Sequence, residues 1–149
     1  MYERKCLSLI IISKFVTSMK QRRVLLGIGS NVHPVENLAR VKTMLTGVLS
    51  DIQYSNTLWT EAIGMDAPHF QNCLVLGITE ISLEELNGML KKIEYDCGRT
   101  ADSRDSGYIP MDIDVLSYGG RKYHEEDWKR PYIQQLLHEM YLEDDGISG

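Results

Sequence analysis

The chain predicts an α+β fold, a ferredoxin-like sandwich with a mostly antiparallel sheet and its helices on one face. Three observations lead there. Apolar runs of strand length and apolar stripes of helical spacing alternate in the order β-α-β-β-α-β. Glycine, proline or a capping residue bounds each of them. The length, 149 residues, suits one domain with a real core.

Val24 to Gly29 is a short apolar run ended by glycine and predicts a buried strand. Ser30-Asn31 and Pro34 mark a turn and the start of a helix. Val35, Leu38, Val41, Leu45 and Val48 then recur at helical spacing. Ile52 to Thr60 predicts a second strand, Glu61 to His69 a loop containing Gly64 and Pro68, and Phe70 to Ile78 a third strand. Ser82-Leu83-Glu84-Glu85 is a capping box, followed on one helical face by Leu83, Leu86, Leu90 and Ile93 until Gly98. Residues 99–110 are polar and predict a surface loop. Met111 to Tyr118 predicts the fourth strand, Gly119-Gly120 a turn into a short return over Arg121 to Tyr123, and the apolar residues after Pro131 a short last helix.

Hydrophobic residues make up 43% and charged residues 25%, ordinary for a globular protein. The net charge of −5 argues against a nucleic-acid partner, which calls for a basic face. Cys6, Cys73 and Cys97 form no C-x-x-C pair, so no zinc motif is present. Cys73 and Cys97 read as small core residues, and a reduced cytoplasmic setting fits. The apolar stretch Cys6 to Ile12 is far too short to span a membrane. Residues 1–18 read as a non-core N-terminal extension, Met19 as the natural start, and residues 19–149 as a single domain. A monomer is expected.

Chemistry concentrates in Met111-Asp112-Ile113-Asp114-Val115. Alternation along a strand puts Asp112 and Asp114 on one face and the apolar residues on the other. Two carboxylates on one face of a buried strand repel each other and are costly to desolvate. A shared divalent cation relieves both, and oxygen-only ligation suits Mg²⁺. The plain alternative is an edge strand whose polar face is in water.

Five local patterns follow one another in a single order: Gly27-Ile28-Gly29-Ser30-Asn31, Thr60 to Gly64, Phe70-Gln71-Asn72, Glu94 four residues before Gly98-Arg99, and Asp112-Ile113-Asp114. As an ordered set, over residues 24 to about 131, they resemble the 6-hydroxymethyl-7,8-dihydropterin pyrophosphokinase family of folate biosynthesis. The resemblance implies a ferredoxin-like core and transfer of diphosphate from ATP to the hydroxymethyl group of a reduced pterin, releasing AMP. It implies that Asp112 and Asp114 bind two Mg²⁺ ions bridging the ATP phosphates. Thr60, Ile63, Gly64 and Asn72 would contact the pterin edge and Phe70 would stack on its ring. Glu94 and Arg99 would sit beside the nucleotide, with Arg99 on phosphate oxygens and counted with the two aspartates as catalytic. ATP and a reduced pterin are the expected partners.

The same resemblance has gaps. Ile109 stands where the family has an arginine, Tyr132 where it has a histidine, and the segment supplying a second aromatic has no counterpart. Arg104 is basic but out of register, and His124, Lys122, Lys129 and Arg130 are candidate substitutes. His33, His69 and His138 read as surface or turn residues. These gaps motivate an alternative: a degenerate relative that binds pterin or nucleotide without efficient catalysis.

Overall fold

The computed structural model describes residues 20–148, with side chains through Tyr141; the expected extension at 1–18 and the start at Met19 lie outside the described residues. The elements are β1 (Arg22–Ser30), α1 (Pro34–Leu45), β2 (Ser50–Tyr54), β3 (Leu58–Thr60), β4 (Phe70–Thr79), α2 (Leu83–Asp96), α3 (Ser103–Ser106), β5 (Asp112–Tyr118), β6 (Arg121–Lys122), α4 (Glu125–Trp128) and α5 (Pro131–Ser148). Strand order is β2-β4-β1-β5-β6, with β3 also pairing β4. All pairings are antiparallel. This is the α+β ferredoxin-like sandwich that the periodicity predicts. Among the described residues no helix is long and apolar enough to cross a membrane.

Strand alternation divides the apolar residues between the two faces. Val24, Leu26, Ile28, Cys73, Val75, Ile113 and Val115 meet Leu38, Val41 and Leu45 of α1 and Leu86, Leu90 and Ile93 of α2. Cys73 and Cys97 are buried free thiols, as expected. Ser82 caps α2 by accepting the Glu85 N–H. Val35, at the start of the α1 stripe, is instead exposed.

The opposite face carries a second layer that the sequence reading did not include. Leu25, Leu74 and Leu116 are covered there by Ile133 and Leu136 of α5, with Trp128 of α4 packed alongside. The indole N–H of Trp128 donates to the Leu116 and Tyr123 carbonyls, which anchors α4 to β5. The last helix is therefore a structural layer of 18 residues rather than a short appendage.

The expected strand over Ile52–Thr60 breaks in two. The Ser55 hydroxyl accepts the Leu74 N–H and donates to the Asn56 carbonyl, so a side chain takes over a ladder position. The resulting kink frees β3 to pair with the start of β4.

Candidate active site

Register brings the site together. Gly29 of β1 lies opposite Asn72 of β4 on one side and opposite Asp112 of β5 on the other. Gly27 lies opposite Asp114. These residues share the face of Leu25, Leu74 and Leu116, at the sheet end that α5 leaves open. The glycines matter because the floor must stay low. A Cβ on Gly29 would stand 2.5 Å from the Asn72 side-chain oxygen, closer than real contacts allow. With the floor bare, the Asn72 amide lies over Gly29 and donates to the Thr60 hydroxyl (2.6 Å). Above this row opens a cavity of about 490 Å³, within the ~300–1,000 Å³ common for small-molecule sites.

One wall of the cavity holds Thr60, Ile63, Phe70 and Asn72; another holds Asp112, Asp114 and Arg99. Of the sequence-predicted residues, Gly64 and Glu94 are not among its lining. Gly64 occupies a positive-φ turn (φ 72) in the loop that carries Ile63. Glu94 stands behind Arg99, and one of its carboxylate oxygens accepts both the Arg99 guanidinium (2.9 Å) and the Ile113 N–H (2.9 Å). The same Arg99 nitrogen donates to Asp112 (2.9 Å) and to the Met111 carbonyl (3.0 Å). Arg99 thus orients Asp112 and ties the end of α2 to the metal-type strand.

The two aspartates differ in setting. Burial, then the adjacent Asp112 carboxylate, pushes the Asp114 carboxyl up to about 7. His124 lies 3.9 Å from Asp114, and both line the cavity. Among the described residues no group of three or more His, Cys, Asp or Glu side chains is arranged to hold a metal. A pair of carboxylates on one strand fits Mg²⁺, which takes one or two carboxylates and draws its remaining ligands from phosphate and water.

Two lining residues, Met65 and Asp127, were not named from the sequence; Glu61 falls within the Thr60 to Gly64 pattern, and Arg130 and Tyr132, at the α4–α5 junction, were named only as a candidate substitute and a departure from the family pattern. Arg130 is held by Asp127 (3.0 Å). Of the candidate substitutes for the absent arginine, His124 and Arg130 reach the cavity, as does Arg104. Lys122 lies over the Trp128 ring and Lys129 pairs with exposed Glu126, so neither faces it. Tyr132 is raised above the ordinary tyrosine range by burial and then by Asp127.

Asn31 has a role that local sequence does not reveal. Its side-chain amide donates to the carbonyls of Gly107 (2.7 Å) and Pro68 (3.3 Å), and its side-chain oxygen accepts the Ile109 N–H (2.6 Å). One buried side chain therefore stitches the 61–69 loop to the 99–110 loop. Ile109 completes the seam with a buried side chain and a carbonyl that accepts the Asn31 backbone N–H.

Comparison with known proteins agrees with this geometry. The sequence profile of the 7,8-dihydro-6-hydroxymethylpterin-pyrophosphokinase (HPPK) family matches residues 25–142. The chain belongs to this family. Its relatives include a folate synthesis bifunctional protein of Arabidopsis thaliana, 31% identical over 121 residues, or 74% of this chain and 25% of that protein. A mitochondrial folate synthesis bifunctional protein of Pisum sativum is 37% identical over 83 residues, 50% of this chain and 16% of that one. The corresponding Chlamydia caviae protein is 32% identical over 91 residues, 56% and 20% of the two chains. The chain thus spans a quarter or less of the length of these relatives. Within the HPPK frame, the matched segment contains the whole cavity wall and the α5 layer through Tyr141.

Proposed function

We propose that this chain transfers the diphosphoryl group of ATP to the hydroxymethyl group of 6-hydroxymethyl-7,8-dihydropterin, releasing AMP, as a step of folate biosynthesis. The observation that carries this reading is the row Asn72–Gly29–Asp112 across three strands. It places a side-chain amide suited to a pterin edge and a carboxylate pair suited to Mg²⁺ on adjoining walls of one cavity.

In this reading the hydroxymethyl oxygen attacks the β-phosphorus of ATP, the bond from that phosphorus to the oxygen bridging the α-phosphate breaks with its electron pair left on AMP, and the hydroxyl proton passes to solvent. Catalysis of this kind is mostly positioning and charge neutralisation. Asn72, held by Thr60, reads the pterin edge together with the loop around Ile63 and Gly64, and Phe70 offers its ring for stacking. Asp112 and Asp114 would hold Mg²⁺, two ions by family resemblance, which when bound neutralises charge on the transferring phosphates. Arg99 fixes the Asp112 carboxylate, and Glu94 fixes Arg99. ATP and the reduced pterin are the proposed small-molecule partners, a monomer the proposed state and the cytoplasm the proposed compartment.

The test is AMP release from Mg²⁺·ATP that depends on the pterin. One observation favours the second reading, a binder without efficient turnover: an Arg99 nitrogen is already shared among Glu94, Asp112 and Met111. Tight pterin binding by a well-folded protein that makes no AMP would select that alternative.

A further inference from the structure

The cavity has one charged lining residue that the proposed reaction does not use. Glu61 lines it next to Thr60, on the wall of Ile63, Phe70 and Asn72. Glu61 is exposed and, among the described residues, its side chain makes no hydrogen bond or ion pair. The other carboxylates of the cavity are engaged: Asp112 accepts from Arg99, Asp127 accepts from Arg130, and Asp114 lies beside His124. A carboxylate repels the phosphates of a nucleotide, so Glu61 does not suit them. It offers acceptors only, and the ligand group that fits it presents N–H donors.

The neighbouring polar side chains show which donors are left for it. Asn72 donates one N–H to the Thr60 hydroxyl (2.6 Å). Its side-chain oxygen is turned to the Gly29 floor, where an added Cβ would stand 2.5 Å away. Asn72 therefore keeps one N–H for a ligand, and Thr60 keeps its hydroxyl proton. Among the side chains of this wall, Glu61 is the one whose acceptors are all open. The pyrimidine half of a pterin has the complementary need. Its C4 carbonyl accepts, which suits the Asn72 N–H, while its N3–H and 2-amino group donate side by side. Desolvated donors without partners are costly, and one carboxylate meets both through its two oxygens.

We propose that Glu61 is a specificity-determining residue: its carboxylate accepts the N3–H and 2-amino group of the pterin and so selects 2-amino-4-oxo heterocycles over 2,4-dioxo ones. This rests on the pterin being a ligand of the cavity. The selection follows from hydrogen-bond sense. An oxygen at C2 in place of the amino group sets an acceptor against the carboxylate, which repels it and leaves both without a donor. The placement of Glu61 helps. It directly follows Thr60, the end of β3, and β3 is locked in register beside Asn72 and Phe70 of β4. A side chain carried there loses less order on binding than one at a loop tip. The pyrimidine edge lies across the bicycle from the C6 hydroxymethyl group, so Glu61 chooses the substrate without entering the transfer step.

The test is calorimetric binding of 6-hydroxymethyl-7,8-dihydropterin and of its 2,4-dioxo counterpart, 6-hydroxymethyl-7,8-dihydrolumazine, to wild type, Glu61→Ala and Glu61→Gln. Wild type should bind the pterin about tenfold or more tighter than the lumazine. Glu61→Ala should weaken pterin binding about tenfold and leave lumazine binding unchanged or tighter, so that the preference collapses. Glu61→Gln, whose amide can donate to the C2 oxygen, should tighten lumazine binding while weakening the pterin. Both variants should keep the wild-type Tm, because Glu61 is exposed and unbonded, and both should bind a nonhydrolysable ATP analogue as wild type does. Where AMP release is measured, the pterin KM should rise in Glu61→Ala and kcat should hold. Unaltered pterin affinity in Glu61→Ala overturns the assignment, and so do equal losses for the two ligands, which mark a merely structural role. The two failures are separable. A wild type that binds and converts the pterin while Glu61→Ala matches it overturns the Glu61 role alone; a wild type that binds neither ligand overturns the pterin reading and this one with it.

Discussion

Asp112 and Asp114 are the proposed metal-holding pair, and their unequal environments make separate predictions. Replacing either by alanine should lower AMP release by about 10³ or more, since several kcal/mol of charge stabilisation depends on them. Circular dichroism should show the fold intact. Asp114 also ties stability to pH. Its carboxyl is raised to about 7 by burial and by Asp112, whereas an unfolded aspartate deprotonates near about 4. Between these values the folded protein holds a proton that the unfolded chain has lost. This contribution to stability is complete below about pH 4 and is lost as pH rises through about 7. Metal-free wild type should therefore lose Tm between about pH 4 and about pH 7, and Asp114→Asn should flatten that fall. An identical slope in the variant would assign the pH dependence elsewhere. Gly29 makes the complementary case for shape. Gly29→Ala forces the Asn72 amide aside and should weaken pterin binding about tenfold, about 1.4 kcal/mol, while binding of a nonhydrolysable ATP analogue holds; calorimetry with each ligand checks the split.

At the scale of elements, α5 is the layer that closes the second face of the sheet. Leu136 is fully buried against Leu25, Leu74 and Leu116. Leu136→Ala should cost about 2–5 kcal/mol, read as a lower denaturant midpoint with an unchanged slope. Some of this architecture was legible in the sequence. The unbroken apolar run Val24–Ile28 is the pattern of a strand buried on both faces, and the apolar residues after Pro131 predict a helix, but nothing local says that this helix covers the second face of the sheet. The capping box at Ser82 and the alternation around Asp112 and Asp114 were readable because both are local rules. Asn31 was not, because its partners Pro68 and Gly107 lie 37 and 76 residues away. Asp127 was hidden for a similar reason: a four-residue helix has no periodicity to read, and only the fold turns it toward the cavity that the aspartates line. The break at Ser55 escaped because a hydroxyl replacing a ladder bond leaves the apolar pattern intact.

For the whole molecule, the two layers on either side of one sheet leave open, among the described residues, the end where three strands and two stitched loops meet over a glycine floor. A ligand that binds only the folded state must raise its stability. Mg²⁺ with a nonhydrolysable ATP analogue should raise Tm, and adding the pterin should raise it further if, as proposed, both occupy the one cavity. Absence of any shift would leave the aspartates as a solvated strand face. The most direct test of the central claim remains AMP release from Mg²⁺·ATP with 6-hydroxymethyl-7,8-dihydropterin, run beside a control without pterin. The account predicts AMP that depends on the pterin and disappears in Asp112→Ala and Asp114→Ala. A well-folded wild type that releases no AMP above the control would contradict it.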